Sequence, residues 1–170
     1  MTLLSEAIEK VRRFCPPALN SGLLRSEINT LLLDFPYQLP DEVYEFYSLS
    51  DGLGEVSKFS TQFGVFSLSQ AVDNYRSYVK DYSRYSEEWF PLVELEDHLF
   101  VMPCNQGAYN LIDLGDDFTA FNFANDESSA FYEFRTLTTT VVSAAACFER
   151  EFEMRGKCWV ERDIFYPYQD

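Results

Sequence analysis

One histidine, His98, four scattered cysteines and only 13 lysines and arginines leave this 170-residue chain poorly supplied for most site chemistry. A Ser-His-Asp or Cys-His relay would have to run through His98, which falls at a predicted turn between two strands with no nucleophile beside it in sequence. Zinc needs four nitrogen or sulfur ligands, and no Cys-x-x-Cys pair or histidine cluster is present. Glycine-rich phosphate loops are missing as well. The longest apolar runs, such as Leu31 to Leu33 and Ala144 to Phe148, are a few residues long, whereas a bilayer-spanning helix takes roughly 20. At the amino terminus, Glu6 and Glu9 stand where a secretory signal would carry lysines. The expected location is therefore cytoplasmic. In that setting Cys15, Cys104, Cys147 and Cys158 are expected to be reduced thiols, at least three of them in apolar surroundings.

What is abundant is apolar and acidic. Hydrophobic residues make up 46% and aromatics 17%, which excludes intrinsic disorder and low-complexity architectures. The length suits a single domain spanning 1–170. Lysine and arginine number 13 against 28 acids, for a net charge of −15. Residues 41–133 hold eighteen acids and four bases, so −14 of the −15 lies there. Such a balance disfavours direct nucleic-acid binding, which requires clustered Lys and Arg, and favours a basic protein partner. An acidic surface also simply keeps a protein soluble.

Apolar spacing sets out the organisation. Leu3, Leu4, Ala7, Ile8 and Val11 recur at helical intervals until Pro16-Pro17. Leu23, Leu24, Ile28, Leu31 and Leu32 predict a second helix, ended by Phe35-Pro36. Pro40 suits the start of a third, Asp41 to about Leu49, with Val43, Phe46 and Tyr47 inward and Gly52 closing it through a positive φ. Phe63 to Phe66 predicts a short strand. Ser67 or Ser69 then caps a fourth helix, whose tyrosines at 75, 78, 82 and 85 serve as half-buried packing.

From Trp89 the period shortens. Phe90 to Leu95, Leu99 to Pro103, Ala108 to Leu114 and Phe118 to Phe123 are short aromatic and branched runs separated by turn residues, predicting an antiparallel meander with one face covered and the other wet. Phe131 to Phe134 can add a strand. Leu137 to about Met154 closes the chain as a helix, and the aromatic tail 156–170 is expected to pack back on the body. The fold class is α+β: N-terminal helices, a central antiparallel meander of four to six strands, and a closing C-terminal helix.

Eight acids flank the predicted sheet turns: Glu94, Glu96, Asp97, Asp113, Asp116, Asp117, Asp126 and Glu127. On charge density they are the candidate partner-binding residues. A calcium loop is excluded because the acids fall out of register, Ala124 standing at the twelfth position from Asp113. Paired carboxylates can also act as acid and base, so a carboxylate-dependent hydrolase built on Asp113, Asp116, Asp117, Asp126 and Glu127 is a third reading. No catalytic residue, cofactor or metal is otherwise expected.

Leu39-Pro40-Asp41-Glu42-Val43-Tyr44-Glu45-Phe46-Tyr47, following a leucine-rich helix and leading into Ser50-Asp51-Gly52, resembles the opening of the SUKH superfamily, the Smi/Knr-like domain. The helix Ser67 to Tyr82, the tryptophan-led strand Trp89-Phe90-Pro91-Leu92, the hairpin Phe100 to Leu114 and a closing helix at Phe148 to Phe152 continue the resemblance over about residues 20–155. It implies a non-catalytic α+β protein-binding module. Bacterial members act largely as immunity proteins that neutralise a cognate toxin domain, often a nuclease, and fungal relatives act as regulatory scaffolds. The leading expectation is thus an immunity-type protein that binds a basic toxin domain; the alternative is a scaffold for a cellular protein.

Overall fold

A computed structural model describes residues 1–54, 63–95, 98–104, 110–114 and 136–155. Within them lie five α-helices, a short 3-10 turn at Pro16–Ala18 and a four-stranded antiparallel sheet: a single α+β domain. The helices are α1 (Leu3–Phe14), α2 (Arg25–Leu31), α3 (Asp41–Leu49), α4 (Leu68–Asp81) and α5 (Leu137–Arg155). The strands are β1 (Phe63–Val65), β2 (Trp89–Leu95), β3 (His98–Pro103) and β4 (Ile112–Leu114).

Local chemistry explains the helix starts. Thr2 caps α1, its hydroxyl accepting from Ser5 N at 3.1 Å while Thr2 N donates to Ser5 Oγ at 2.9 Å. Ser67 caps α4 in the same reciprocal way with Gln70. Glu42, in the first turn of α3, reaches across to the start of α5, where its Oε2 accepts from Thr138 N at 3.1 Å and Thr138 Oγ1 at 2.8 Å. That contact satisfies a helix-end donor that would otherwise be orphaned. Leu4, Ala7, Ile8 and Val11 form the buried stripe of α1, which runs beside α5 with Phe14 and Phe152 ring centroids 5.6 Å apart and Lys10 paired to Glu149 at 2.7 Å.

The sheet runs β1-β2-β3-β4 in chain order, with α4 inserted between β1 and β2. Gly64 faces Glu94, Glu94 faces Leu99, and Phe100 faces Asp113. Pro91 is tolerated in an inner strand because β1 covers only Val93 to Leu95, and the register shifts between Pro91 and Val93. In β2, Phe90, Pro91, Leu92 and Val93 are all buried, and Phe100 to Pro103 are likewise buried in β3. The expectation of a wet face therefore fails for these strands: consecutive buried residues put core on both sides of the sheet. The strands expected at Phe118 to Phe123 and Phe131 to Phe134, and the tail 156–170, lie outside the described residues.

Ser50-Asp51-Gly52 ties four parts of the chain together. Asp51 Oδ1 accepts from Leu68 N at 2.7 Å, fixing the start of α4, and Asn20 Nδ2 donates to Asp51 O at 2.8 Å. Ser50 Oγ lies 2.7 Å from Gly52 O, and Gly52 takes the positive φ of 100° expected of it. Leu53 then exchanges both backbone hydrogen bonds with Val65 of β1, at 3.0 and 2.8 Å. The segment that carried the family resemblance thus does structural work.

Candidate functional site

Of the eight acids expected to meet a partner, Glu94 and Asp113 are described; Glu96, Asp97, Asp116, Asp117, Asp126 and Glu127 lie outside the described residues. Glu94, on β2, is half-buried, and burial raises its carboxyl above the ordinary range. Its charge in turn helps push up the Tyr78 phenol on α4, after the larger effect of that phenol's own burial.

Asp113 is a correction. Expected on a turn and open to solvent, it sits in β4 at 1% exposure. His98, expected to have no partner, places Nδ1 3.0 Å from both carboxylate oxygens of Asp113. The two strands bring them together: Phe100 pairs with Asp113, and His98 leads Phe100 by two residues on the same side of β3. Burial raises Asp113, and the His98 hydrogen bond and charge pull it back down. A sealed carboxylate held by a partly exposed imidazole is a satisfied buried polar group; it does not offer a surface contact for a basic protein. Register between neighbouring predicted strands was the signal that could have paired them.

The acid excess is sharper than the long segment suggests. From Tyr85 to Phe134 there are eleven acids, no lysine and no arginine. Three of the four bases in 41–133, Arg76, Lys80 and Arg84, fall on α4 or just beyond it, where Arg76 pairs with Asp34 at 2.9 Å and Asp73 at 3.4 Å. The sheet half of the chain therefore carries its negative charge without a lysine or arginine of its own to compensate it.

Of the four tyrosines expected along the fourth helix, Tyr75 and Tyr78 lie on α4, whereas Tyr82 caps its end and Tyr85 falls beyond it. Tyr75 and Tyr85 are buried and donate to Glu87 O at 3.0 Å and Trp89 O at 2.8 Å. Tyr78 is half-buried, 5.3 Å from the Tyr85 ring, whereas Tyr82 is 46% exposed.

A polar hollow of about 420 Å³ opens at the start of α4, lined in part by Asn20, Gly52, Gly54, Ser67, Ser69 and Gln70. Of the eight candidate acids, neither of the two described, Glu94 and Asp113, lines it. Asp51 already takes Leu68 N, and Ser67 Oγ takes Gln70 N at 3.3 Å, so two backbone donors of that helix end are occupied. Among the described residues no three His, Cys, Asp or Glu side chains converge to hold a metal ion, and no helix is long and apolar enough to cross a membrane. No family model and no curated protein matches this chain.

Proposed function

We propose that this protein is a non-catalytic binding module of the immunity type, which captures and neutralises a basic toxin domain, with nuclease toxins the class best suited to it. The reading rests on one observation: eleven acids and no lysine or arginine between Tyr85 and Phe134. A nuclease is cationic where it meets phosphates, so an anionic surface competes for that site and accelerates encounter by long-range attraction. Burial of Asp113 against His98 narrows the contact set to Glu94, Glu96, Asp97, Asp116, Asp117, Asp126 and Glu127. The SUKH resemblance agrees with this reading. It also agrees with a cytoplasmic location, the compartment in which a toxin-producing cell needs protection.

The test is a search of the gene's neighbourhood for a toxin-bearing gene, followed by reconstitution with the toxin domain found there. A stoichiometric complex with loss of toxin activity, weakened when Glu96, Asp97, Asp116 and Asp117 are changed together to Asn or Gln, supports the proposal. Failure to bind or inhibit overturns it. A scaffolding role draws on a different feature, the exposed Leu24 and Leu33 flanking α2, at 69% and 81% exposure. Binding to a cellular protein that is lost on changing these two leucines to Ser, with no toxin inhibited, would favour that role.

A further inference from the structure

The helix pair α1 and α5 is electrically unlike the rest of the chain. Residues 1–15 hold two acids and three bases, and residues 137–155 hold three acids and two bases. Together they are neutral, so the whole net charge of −15 lies elsewhere. The same pair exposes apolar side chains: Leu3 on α1, and Val142 and Phe152 on α5. We infer that the α1–α5 face is the docking surface for a second copy of this chain, forming a symmetric dimer.

Two contacts fix how the helices lie. Lys10 meets Glu149 at 2.7 Å, and the Phe14 and Phe152 rings stand 5.6 Å apart, so residue numbers rise together and the helices run parallel. The side chains of the ion pair are 43% and 32% exposed, so this edge of the seam faces solvent. Leu3 and Val142 stand seven residues before Lys10 and Glu149, close to two turns back on each helix, which puts them on the same edge. The edge therefore reads as three levels: apolar at Leu3 and Val142, charged at Lys10 and Glu149, apolar again at Phe14 and Phe152.

A second copy brings its own −15, so two copies repel wherever their acidic surfaces would meet. On this face the repulsion is smallest and the signs are complementary, residues 1–15 being net +1 and residues 137–155 net −1. A two-fold axis parallel to the helices lays α1 of one copy on α5 of the other at the same level. Lys10 then faces the partner's Glu149, and Leu3 faces the partner's Val142. Four charges alternate in sign about the axis, with an apolar level on either side. At about 10 Å across and about 18 and 28 Å long, the two helices offer roughly 460 Å² per copy. Burying about 900 Å² in all corresponds to a weak, reversible contact. None of the acids assigned to the toxin lies on either helix, so the dimer stands apart from that reading.

Sedimentation velocity on the full-length chain in physiological salt, from about 2 µM to about 500 µM, is the test. The expected result is a concentration-dependent shift from monomer to dimer with nothing larger, because a two-fold contact closes on itself. Leu3→Glu and Val142→Glu should each weaken association at least tenfold while the urea midpoint stays at the wild-type value. Leu33→Glu, at an equally exposed leucine beyond α2, should leave association unchanged. Lys10→Glu and Glu149→Lys should each weaken it alone and restore it when mixed, since across the axis each variant then opposes its complement. A chain monomeric over the whole range, growth beyond the dimer, Leu33→Glu as disruptive as Leu3→Glu, or a mixture no better than its components overturns the inference.

Discussion

Removing the His98 imidazole should expose the cost of the carboxylate beneath it. In His98→Ala, Asp113 stays at its buried position, 1% exposed in the parent, and loses the one group known to pull its titration downward. Stripping a buried charge pair of one partner costs about 3–5 kcal/mol. The chain can escape part of that by protonating Asp113, so the cost depends on pH. With a folded-state value above the unfolded one, about 3.9, the folded state holds its proton more tightly, and stability falls as pH rises from the unfolded toward the folded value. The slope is at most about 1.36 kcal/mol per pH unit for one group. The proper reference is His98→Ala/Asp113→Asn, which has neither imidazole nor carboxylate. Urea midpoints should be nearly equal for the two variants at about pH 4, diverge as pH rises, and level off with the double variant about 3 kcal/mol more stable at pH 8. Identical pH profiles, or a single variant more stable than the double at pH 8, would show that Asp113 is not desolvated and refute the reasoning.

Phe46, fully buried in α3, should lose about 3–5 kcal/mol on replacement by Ala in a urea melt. Exchanging the exposed acids Asp73, Asp81 and Glu87 for neutral amides should instead move stability by less than about 0.5 kcal/mol. Gly22→Ala is expected to be costly at an exposed position, because its Cβ would stand 2.1 Å from Ser48 O; a loss of about 1–3 kcal/mol in thermal or urea melts is the expected outcome. Gly52→Ala forces a side chain onto a φ of 100°, with Val65 O at 3.1 Å, and should cost about 1–2 kcal/mol, while Gly52→Asn should recover part of it. Stability unchanged in either glycine variant would mean the loop relaxes freely.

Much of the helical framework was legible because its signals are local. Pro40, Asp41 and Glu42 marked the start of α3 through proline's fixed φ and the preference of acids for a helix's positive end, and Ser67 the start of α4 through a cap between residues three apart. α2 came out shorter than its apolar pattern, Leu23 to Leu32, because Leu23 N donates to Tyr47 O at 2.8 Å and the segment enters the helix only at Arg25. Tertiary pairing overrode periodicity there. Asp113 was misplaced for a related reason. In a strand of three residues next to Gly115-Asp116-Asp117, composition reads as turn, and whether a side chain points inward depends on register with β3. Cys15, expected as a reduced thiol, is disulfide-bonded instead, and such a bond leaves no mark in nearby sequence.

The salt dependence of association with a basic toxin domain bears most directly on the central claim that uncompensated negative charge in the sheet half recruits a cationic partner. Stopped-flow rates measured from about 0.02 M to about 0.5 M salt should fall about tenfold or more, with dissociation changing far less, since screening shortens to a few ångströms over that range. An association rate that stays level across the series would contradict the account.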